Sequence, residues 1–186
     1  MNNYFQITDQ TGFSDRWFLK SAADAKGEQL DPEVFTYGAE LKVYPPLTIS
    51  LRKRGKPLDF TFADFDMPVV SKRLHETLVR LAPNDFQSFP ATVDEVPGEF
   101  AIINVTRVIR CLDESKTRVV KWREEDGRLD KIGQYRQVVG LTINPTLVGN
   151  TTIFRLGGWD VAIIVSEGFK KEFEAGKFTG VRFWRV

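Results

Sequence analysis

The sequence has one histidine and one cysteine among its 186 residues, and this scarcity excludes several kinds of site. A single thiol, that of Cys111, cannot form an internal disulfide, which fits a reducing compartment. One His and one Cys cannot complete a closed zinc site without carboxylate ligands, and neither an HExxH nor a CxxC spacing occurs. We interpret His75 as a residue on the solvated side of a helix and Cys111 as a small hydrophobe of the core. Neither residue is predicted to be catalytic.

The sequence also lacks an excess of charge of one sign and any long apolar run. Lys and Arg number 26 and Asp and Glu 25, so the net charge of +1 creates no general attraction for nucleic acid or an anionic membrane. The apolar runs are about five residues long, whereas a membrane-spanning helix needs about twenty. The N-terminal residues have neither the basic nor the apolar region of a signal peptide. These absences predict a soluble, cytoplasmic protein that does not associate with membranes.

Residues 161–186 carry the pattern around which the fold is predicted. An apolar run leads into Ser166, a short amphipathic stretch places Phe169 and Phe173 four residues apart, and Gly176 closes it. Serine is a favoured N-cap, and glycine often ends a helix because it tolerates the left-handed conformation. Alternating apolar and polar residues follow to the end of the segment. The pattern predicts a strand, a helix that begins at Ser166, and a second strand.

The same pattern occurs in residues 68–93. Ser71 follows a short apolar run, and Leu74 and Leu78 lie at the same offsets from this serine as the two phenylalanines from theirs. Pro83 ends the predicted helix because proline cannot continue the hydrogen-bond ladder, and an extended run follows. The sequence therefore contains two similar strand–Ser–helix–strand units.

Residues 100–112 lie between the two units and are predicted to form a central strand. Their odd-numbered positions are apolar except for Arg107, which predicts one wholly buried face. Many short strands with two or three helices predict an α+β fold with a mostly antiparallel sheet. The length fits a single domain, residues 1–186. Within it, residues 1–57 form a candidate small β-rich subdomain and residues 58–186 the core.

Two clusters of charged residues are candidates for chemistry. Asp64 and Asp66 are spaced to share a strand face about 6–7 Å apart, at about 3.3 Å per residue. Paired carboxylates can bind Mg²⁺ or divide acid and base roles, so a small metal-dependent hydrolase stays open. The alternative is a strand end that enters the loop before the first helix.

The second cluster is basic and lies near Tyr44 and Phe60, so it could touch phosphates and stack a base as a nucleic-acid-binding module. Its residues are Arg52, Lys53, Arg54 and Lys56. The net charge near zero favours a solvated turn over this module. No cofactor is predicted.

Several short motifs, in one order along the chain, resemble a bacterial protein family. The motifs are residues 68–78 (PVVSKRLHETL), 89–93 (FPATV), 104–115 (NVTRVIRCLDES), 141–155 (LTINPTLVGNTTIFR), 164–167 (IVSE) and 179–183 (TGVRF). The family they resemble is one of immunity proteins of polymorphic toxin systems, formerly a domain of unknown function, with a myxobacterial founding member. The resemblance covers about residues 58–186 and is loose over the first 57. It implies a cytoplasmic protein that binds and silences a cognate toxin and carries no catalytic motif.

The segment 123–131 (REEDGRLDK) is the predicted contact surface for such a partner. Seven of its nine residues are charged around an Asp-Gly turn, which predicts a hairpin whose tip projects into water. Flanking aromatic residues offer anchors, and the charges form a rim that steers encounter. The candidate partner-binding residues are Trp122, Glu124, Glu125, Asp126, Arg128, Tyr135 and, as a competing anchor near the C-terminus, Trp184. The alternative is a solvated hairpin whose aromatic residues belong to the core.

Overall fold

The computed structural model describes residues 3–13 and 15–186, which form two α-helices and thirteen strands. The strands β1 to β13 are, in chain order, Tyr4–Asp9, Phe18–Ala23, Leu47–Lys53, Phe60–Phe62, Pro68–Ser71, Phe86–Val93, Val96–Val105, Val108–Ile109, Arg118–Lys121, Tyr135–Val139, Ile153–Leu156, Ile163–Ser166 and Val181–Arg185. The helices are α1, Lys72–Leu81, and α2, Glu167–Ala175. Short 3₁₀ turns lie at Pro32–Thr36, Asp64–Asp66, Glu124–Asp126, Leu129–Lys131 and Pro145–Leu147.

The strands form three sheets, and the pairs are antiparallel except β3 with β6 and β8 with β11. The six-stranded sheet has the order β2-β3-β6-β7-β5-β4, the five-stranded sheet β13-β1-β12-β11-β8, and β9 pairs with β10 alone. The predicted α+β fold with a mostly antiparallel sheet is confirmed. No helix of the described residues is long and apolar enough to cross a membrane.

Both helices begin at the predicted serines. Ser71 and Ser166 have extended backbone just before α1 and α2, and the Ser166 hydroxyl accepts a hydrogen bond from the N–H of Phe169 at 3.3 Å. The Ser71 hydroxyl instead donates to the carboxylate of Asp59 at 2.8 Å. The apolar residues predicted for the inner helix faces are buried in one shared cluster: Leu74, Leu78, Phe169 and Phe173. Both strand–Ser–helix–strand units are therefore confirmed.

The two units belong to a larger internal repeat. The strand orders β6-β7-β5-β4 and β13-β1-β12-β11 correspond, and every neighbouring pair in both is antiparallel. With Ser71 aligned on Ser166, the pairing registers agree strand by strand. The aligned residues include Val70 with Val165, Phe60 with Ile153, Ile103 with Ile7, and Phe89 with Trp184. The repeat is permuted in the chain, because β7 follows β6 directly whereas its counterpart β1 comes before all other strands.

One hydrophobic cluster joins the two halves of this repeat. It contains the inward-facing residues of β5, β7 and β12 together with both helices. Because successive residues of a strand point to opposite faces, Val70 lies in this shared cluster whereas Val69 lies in a second one beneath the six-stranded sheet. A third cluster, which includes Tyr4 and Phe154, covers the outer face of the five-stranded sheet. The core therefore consists of three layers separated by two sheets.

The strand predicted over residues 100–112 is wrong in its length. β7 ends at Val105, and the short β8 that follows belongs to the other large sheet. The N–H groups of Thr106 and Arg107 both donate to the carbonyl of Asp85 at 3.1 Å, which turns the chain away from β6. The prediction missed this break because it depends on a residue far away in the sequence.

The surroundings of β7 also differ from the prediction. Residues 100–105 are buried on both faces rather than on one, because β7 separates the shared cluster from the second one. Pro97 and Gly98 lie within β7. The turn between β6 and β7 is formed by Asp94 and Glu95, and Glu95 has a φ of 62°.

The N-terminal region contributes to both large sheets. β1 lies in the five-stranded sheet, and β2 and β3 lie in the six-stranded one. Residues 41–44 form no strand. The side-chain amide of Gln87 instead binds both the N–H and the C=O of Leu41, at 2.8 and 3.3 Å. The division of the domain at residue 57 stays a prediction, and residues 1, 2 and 14 of the proposed subdomain lie outside the described residues.

Candidate functional site

The β9–β10 hairpin, residues 118–139, is a separate two-stranded sheet. The predicted hairpin is formed, but its connection is not an Asp-Gly turn alone. The connection is longer and contains two 3₁₀ turns, Glu124–Asp126 and Leu129–Lys131. Gly127 ends the first of them with a φ of 70°, a left-handed conformation that glycine adopts without a steric penalty. The tip is therefore a compact double turn rather than a two-residue reversal.

Most charges of the β9–β10 hairpin are paired within it. The ion pairs are Arg123 with Glu125 at 3.4 Å, Arg128 with Asp130 at 2.8 Å, and Arg136 with Asp126. The carboxylate of Asp126 also accepts a hydrogen bond from the N–H of Arg123 at 2.9 Å, so it holds the turn. Glu124 is exposed and has no ion-pair partner among the described residues. The acidic residues thus divide into a structural Asp126 and two solvent-facing glutamates.

The hairpin and the rest of the protein enclose a cleft of about 530 Å³, which we name the hairpin cleft. Four aromatic residues line it: Tyr37, Trp122, Tyr135 and Trp159. The N–H of Tyr135 donates to the carbonyl of Gly158 at 2.8 Å, which fixes the hairpin against the end of β11. The Tyr135 hydroxyl donates to Glu114 at 2.6 Å, and burial together with this hydrogen bond raises the pKa of Tyr135 to about 12. Two of the predicted anchors, Trp122 and Tyr135, therefore share one cleft.

A buried arginine supports the wall of the hairpin cleft. The guanidinium of Arg155 donates to the carbonyls of Asp160 at 2.6 Å and Phe35 at 2.5 Å, and burial lowers its pKa to about 10. It thereby ties the turn that carries Tyr37 to strand β11. The sequence prediction did not single out Arg155 or Tyr37. An arginine inside the apolar run 153–156 was the available signal, because the cost of burying a charge must be offset by hydrogen bonds or an opposite charge.

Trp184 lies apart from the hairpin cleft. It is on β13, at the edge of the five-stranded sheet opposite β8, and 46% of it is exposed. Its indole N–H donates to the hydroxyl of Thr8 at 3.0 Å, and the guanidinium of Arg182 lies 4.0 Å from its ring centroid. The structure thus separates Trp184 from the six other candidate residues, which lie together on the hairpin.

Asp64 and Asp66 do not share a strand face, and the alternative, a strand end that enters a loop before the first helix, agrees with the structure. Both lie in a 3₁₀ turn in which Phe65 and Asp66 have positive φ values of 54° and 58°. Asp64 accepts a hydrogen bond from Arg52 at 2.6 Å. Burial raises the pKa of Asp66, and the charge of Asp9 raises it further. Among residues 3–13 and 15–186, no group of three or more His, Cys, Asp or Glu side chains could hold a metal ion.

The basic cluster is also assembled differently from the prediction. Arg52 pairs with Asp64, and Arg54 pairs with Glu95. Phe60 is buried in the shared cluster, so a base cannot stack on it. The predicted combination of basic and aromatic side chains is therefore not formed around this ring.

The lone cysteine and histidine have different surroundings. Cys111 is buried in the third cluster, and burial raises its pKa to about 11, as expected of a small hydrophobe. It follows β8 rather than lying on a central strand. His75 is half-buried rather than solvated, because it lines an apolar groove of about 450 Å³ between α1, Pro46 and Pro90. Its Nε2 is buried without a hydrogen-bond partner, and burial lowers its pKa.

The sequence model of the immunity protein family Imm11 matches residues 5–186. This match includes residues 5–57, where the resemblance found by reading the sequence was loose. No curated protein matches the chain.

Proposed function

Because the chain belongs to the Imm11 immunity protein family, we propose that it binds a cognate toxin in the cytoplasm and thereby neutralises it. The observation that carries this proposal is the extent of the family match, residues 5–186, which includes both large sheets and the β9–β10 hairpin. Family membership favours a binding role over an enzymatic one. In this proposal neutralisation is stoichiometric, so one molecule of this protein binds one toxin molecule.

The β9–β10 hairpin and the hairpin cleft form one part of the contact surface that we propose for the toxin. Leu129 and Ile132 at the tip are 71% and 48% exposed. The ring centroid of Trp122 lies 6.0 Å from the ammonium group of Lys131 and 5.4 Å from the guanidinium of Arg136. Interfaces favour aromatic anchors and arginine, with apolar area at the centre and charge at the rim. The hairpin offers all of these on an element outside both large sheets, where the sequence can vary without disturbing the core.

Co-expression tests the proposed function. A candidate cognate toxin domain would be expressed in a bacterial host with and without this chain. We expect growth arrest by that domain alone, rescue by this chain, and a stable one-to-one complex in purified material. Rescue without a complex would indicate that this chain modifies the toxin or its target. Persistent growth arrest would contradict the proposal for this toxin.

A further inference from the structure

We propose that β13 receives an extended segment of the toxin, which pairs with the free edge of this strand and covers the face that carries Trp184. The proposal rests on the proposed function, because the toxin is the partner. The β1–β13 face comprises Gln6, Thr8, Arg182 and Trp184, which are neighbours across the two strands. The argument comes from the internal repeat, because the corresponding edge and face of the other half are covered by the chain itself.

The corresponding face in the other half is covered. Register alignment places Phe89 at the position of Trp184 and Ile102 at the position of Gln6. Phe89 is only 7% exposed and Ile102 is fully buried. The ring of Phe35 packs against Phe89 with centroids 6.0 Å apart. The first half therefore supplies its own aromatic cover, whereas Trp184 is 46% exposed.

The corresponding edge is covered on both sides of the aligned positions. Ser88 and Pro90 align with Phe183 and Arg185, and other parts of the chain lie beside the residues that follow and precede them. The outer edge of β6 pairs in parallel with β3, where residues 47–49 lie opposite residues 91–93. Further along the same edge, the side chain of Gln87 holds the backbone of Leu41. In both places an extended part of the chain runs beside β6. The counterpart of β6 is β13, which is the last strand of its sheet.

The edge of β13 has hydrogen-bonding groups to offer. The N–H of Val186 donates to Tyr4 at 3.1 Å, and the N–H of Gln10 donates to the carbonyl of Gly180 at 3.0 Å. Since alternate residues of an antiparallel strand face the same neighbour, the N–H and C=O groups of Phe183 and Arg185 point away from β1. Within the described part of the chain, these four groups have no hydrogen-bond partner. An added strand would satisfy them, as in other cases of strand addition.

The side chains at this edge indicate the chemistry of the segment. Arg182 and Arg185 are both exposed, so acidic side chains on the segment would be complementary. An apolar side chain would cover Trp184 as Phe35 covers Phe89. A second copy of β13 fits less well, because self-pairing would bring four arginines together along one strand pair. The occupant is therefore an extended toxin segment with acidic and apolar residues.

The test compares Arg185→Pro with Arg185→Ala. Proline removes the outward N–H and places its ring where the added strand would lie, but it leaves the hydrogen bonds to β1 intact. Alanine removes the same side chain and keeps the N–H. We expect toxin affinity to fall at least about tenfold further for proline than for alanine, which is about 1.4 kcal/mol. The melting temperatures of the two variants should agree, and Trp184→Ala, which leaves the backbone unchanged, should also lose about tenfold.

The outcomes separate this inference from the proposed function. If the wild-type chain neither binds the toxin nor protects, the proposed function fails. If the wild-type chain binds and protects while Arg185→Pro matches Arg185→Ala, or Trp184→Ala binds normally, the strand-addition proposal is overturned and the function stands. A dimer of the free wild-type chain in sedimentation analysis that Arg185→Pro dissociates would also overturn it, because a second copy would then be the occupant. If Arg185→Pro does not fold, the toxin affinities of Trp184→Ala and of the double charge reversal Arg182→Glu with Arg185→Glu test the proposal instead. Normal affinity of both variants would overturn it.

Discussion

His75 couples the stability of the protein to pH. Its Nε2 is buried without a partner, and burial lowers its pKa from the ordinary value of 6.5. The unfolded chain therefore binds the proton more readily than the folded one, so stability is complete above the unfolded pKa and falls as the pH drops through the folded pKa. The charged groups that line the groove with it are Lys72 and Glu76 on the same helix and Glu99 on β7, and only Glu76 shifts the pKa, in the opposite direction.

We expect His75→Gln to flatten this part of the pH dependence. Urea unfolding at pH 7.5 and pH 5 would measure the loss of unfolding free energy in each protein. Wild type should lose more stability than His75→Gln between the two values, because glutamine does not titrate. Equal losses would mean that the imidazole gains a partner or solvent on protonation.

Asp59 joins the two halves of the repeat by hydrogen bonds. Its carboxylate accepts from Arg73 at 2.6 and 2.7 Å, from Ser71 at 2.8 Å, and from the N–H and hydroxyl of Thr179 at 2.9 Å each. Burial alone would raise the pKa of Asp59, but these hydrogen bonds outweigh it and hold the pKa below 3.8. The carboxylate therefore stabilises the fold above the unfolded pKa, and this stabilisation is lost as the pH falls through the folded pKa.

We expect Asp59→Asn to lower the free energy of unfolding by about 2 kcal/mol at pH 7. A buried pair that loses one partner usually costs more, but Arg73 is half exposed and water replaces part of its interaction. Asp64→Asn is the matched control, because the Asp64 carboxylate accepts one hydrogen bond, from Arg52, whereas that of Asp59 accepts five, and it should change stability by less than about 1 kcal/mol. Equal effects of the two variants in chemical denaturation would show that Asp59 is no more than a surface ion pair.

Helix α2 is held to the core by an aromatic cluster. Phe173 is buried, and its ring centroid lies 6.0, 5.5 and 5.4 Å from those of Phe169, Phe178 and Phe183. We expect Phe173→Ala to cost about 3–5 kcal/mol, because the neighbouring rings cannot collapse fully into the space. Phe178→Ala, at the half-buried rim of the same cluster, is the control and should cost clearly less. A loss below about 1 kcal/mol for Phe173→Ala in denaturant unfolding would mean that α2 is loosely docked.

Sequence reasoning predicted the elements whose signals are local. The helices were found because a capping serine and the apolar spacing after it lie within one turn of each other. The end of β7 was missed, because it depends on the carbonyl of Asp85, and the double turn of the β9–β10 hairpin was mistaken for an Asp-Gly reversal. Of the candidate site, the hairpin aromatics were recognised, but the hairpin cleft was not. Its other wall is positioned by Arg155 through a contact with Phe35, a residue 120 positions away.

The two solvent-facing glutamates of the hairpin allow a test of the proposed toxin contact. Glu124→Gln combined with Glu125→Gln should slow association and change its dependence on salt, because these charges steer encounter. The melting temperature should stay constant, since Asp126 keeps the turn intact. Glu28→Gln with Glu76→Gln alters the net charge equally on exposed residues elsewhere and is the control. Equal association rates for both double variants in stopped-flow measurements would remove the hairpin from the contact surface.

In the whole molecule, the internal repeat makes the core symmetric, whereas the N-terminal region covers only one of its two halves. Corresponding residues of both halves, such as Leu74 and Phe169, meet in the shared cluster. Residues before β4 then cover the outer face of one half, where Trp17 and Phe35 are fully buried. The sequence showed the two serine units but not the full repeat. The counterparts β1 and β7 share little sequence, and only their pairing partners identify them as equivalent.

The permuted order of the repeat predicts that β1 can follow β13 in the chain. The two strands are antiparallel neighbours, with Phe5 opposite Arg185 and the N–H of Val186 bonded to Tyr4 at 3.1 Å. A linker of about four glycine and serine residues is long enough for a hairpin connection. In the permuted chain, residues 3–12 are removed from their place before residue 13 and joined through the linker to the C-terminal side of residue 186. β1 then follows β13 directly, as β7 follows β6. The chain is cut after Gly12, which is exposed.

We expect this permuted chain to fold, with a melting temperature within about 5 °C of wild type and with toxin protection retained. The reason is that every strand keeps its neighbours and only a surface connection changes. Deletion of residues 3–12 is the control. It should abolish folding, because β1 lies between β12 and β13 and buries Ile7 in the shared cluster. Circular dichroism and thermal unfolding of the three chains measure the difference. A permuted chain as unstable as the deletion would show that the order of synthesis, and not only the final pairing, is required to place β1.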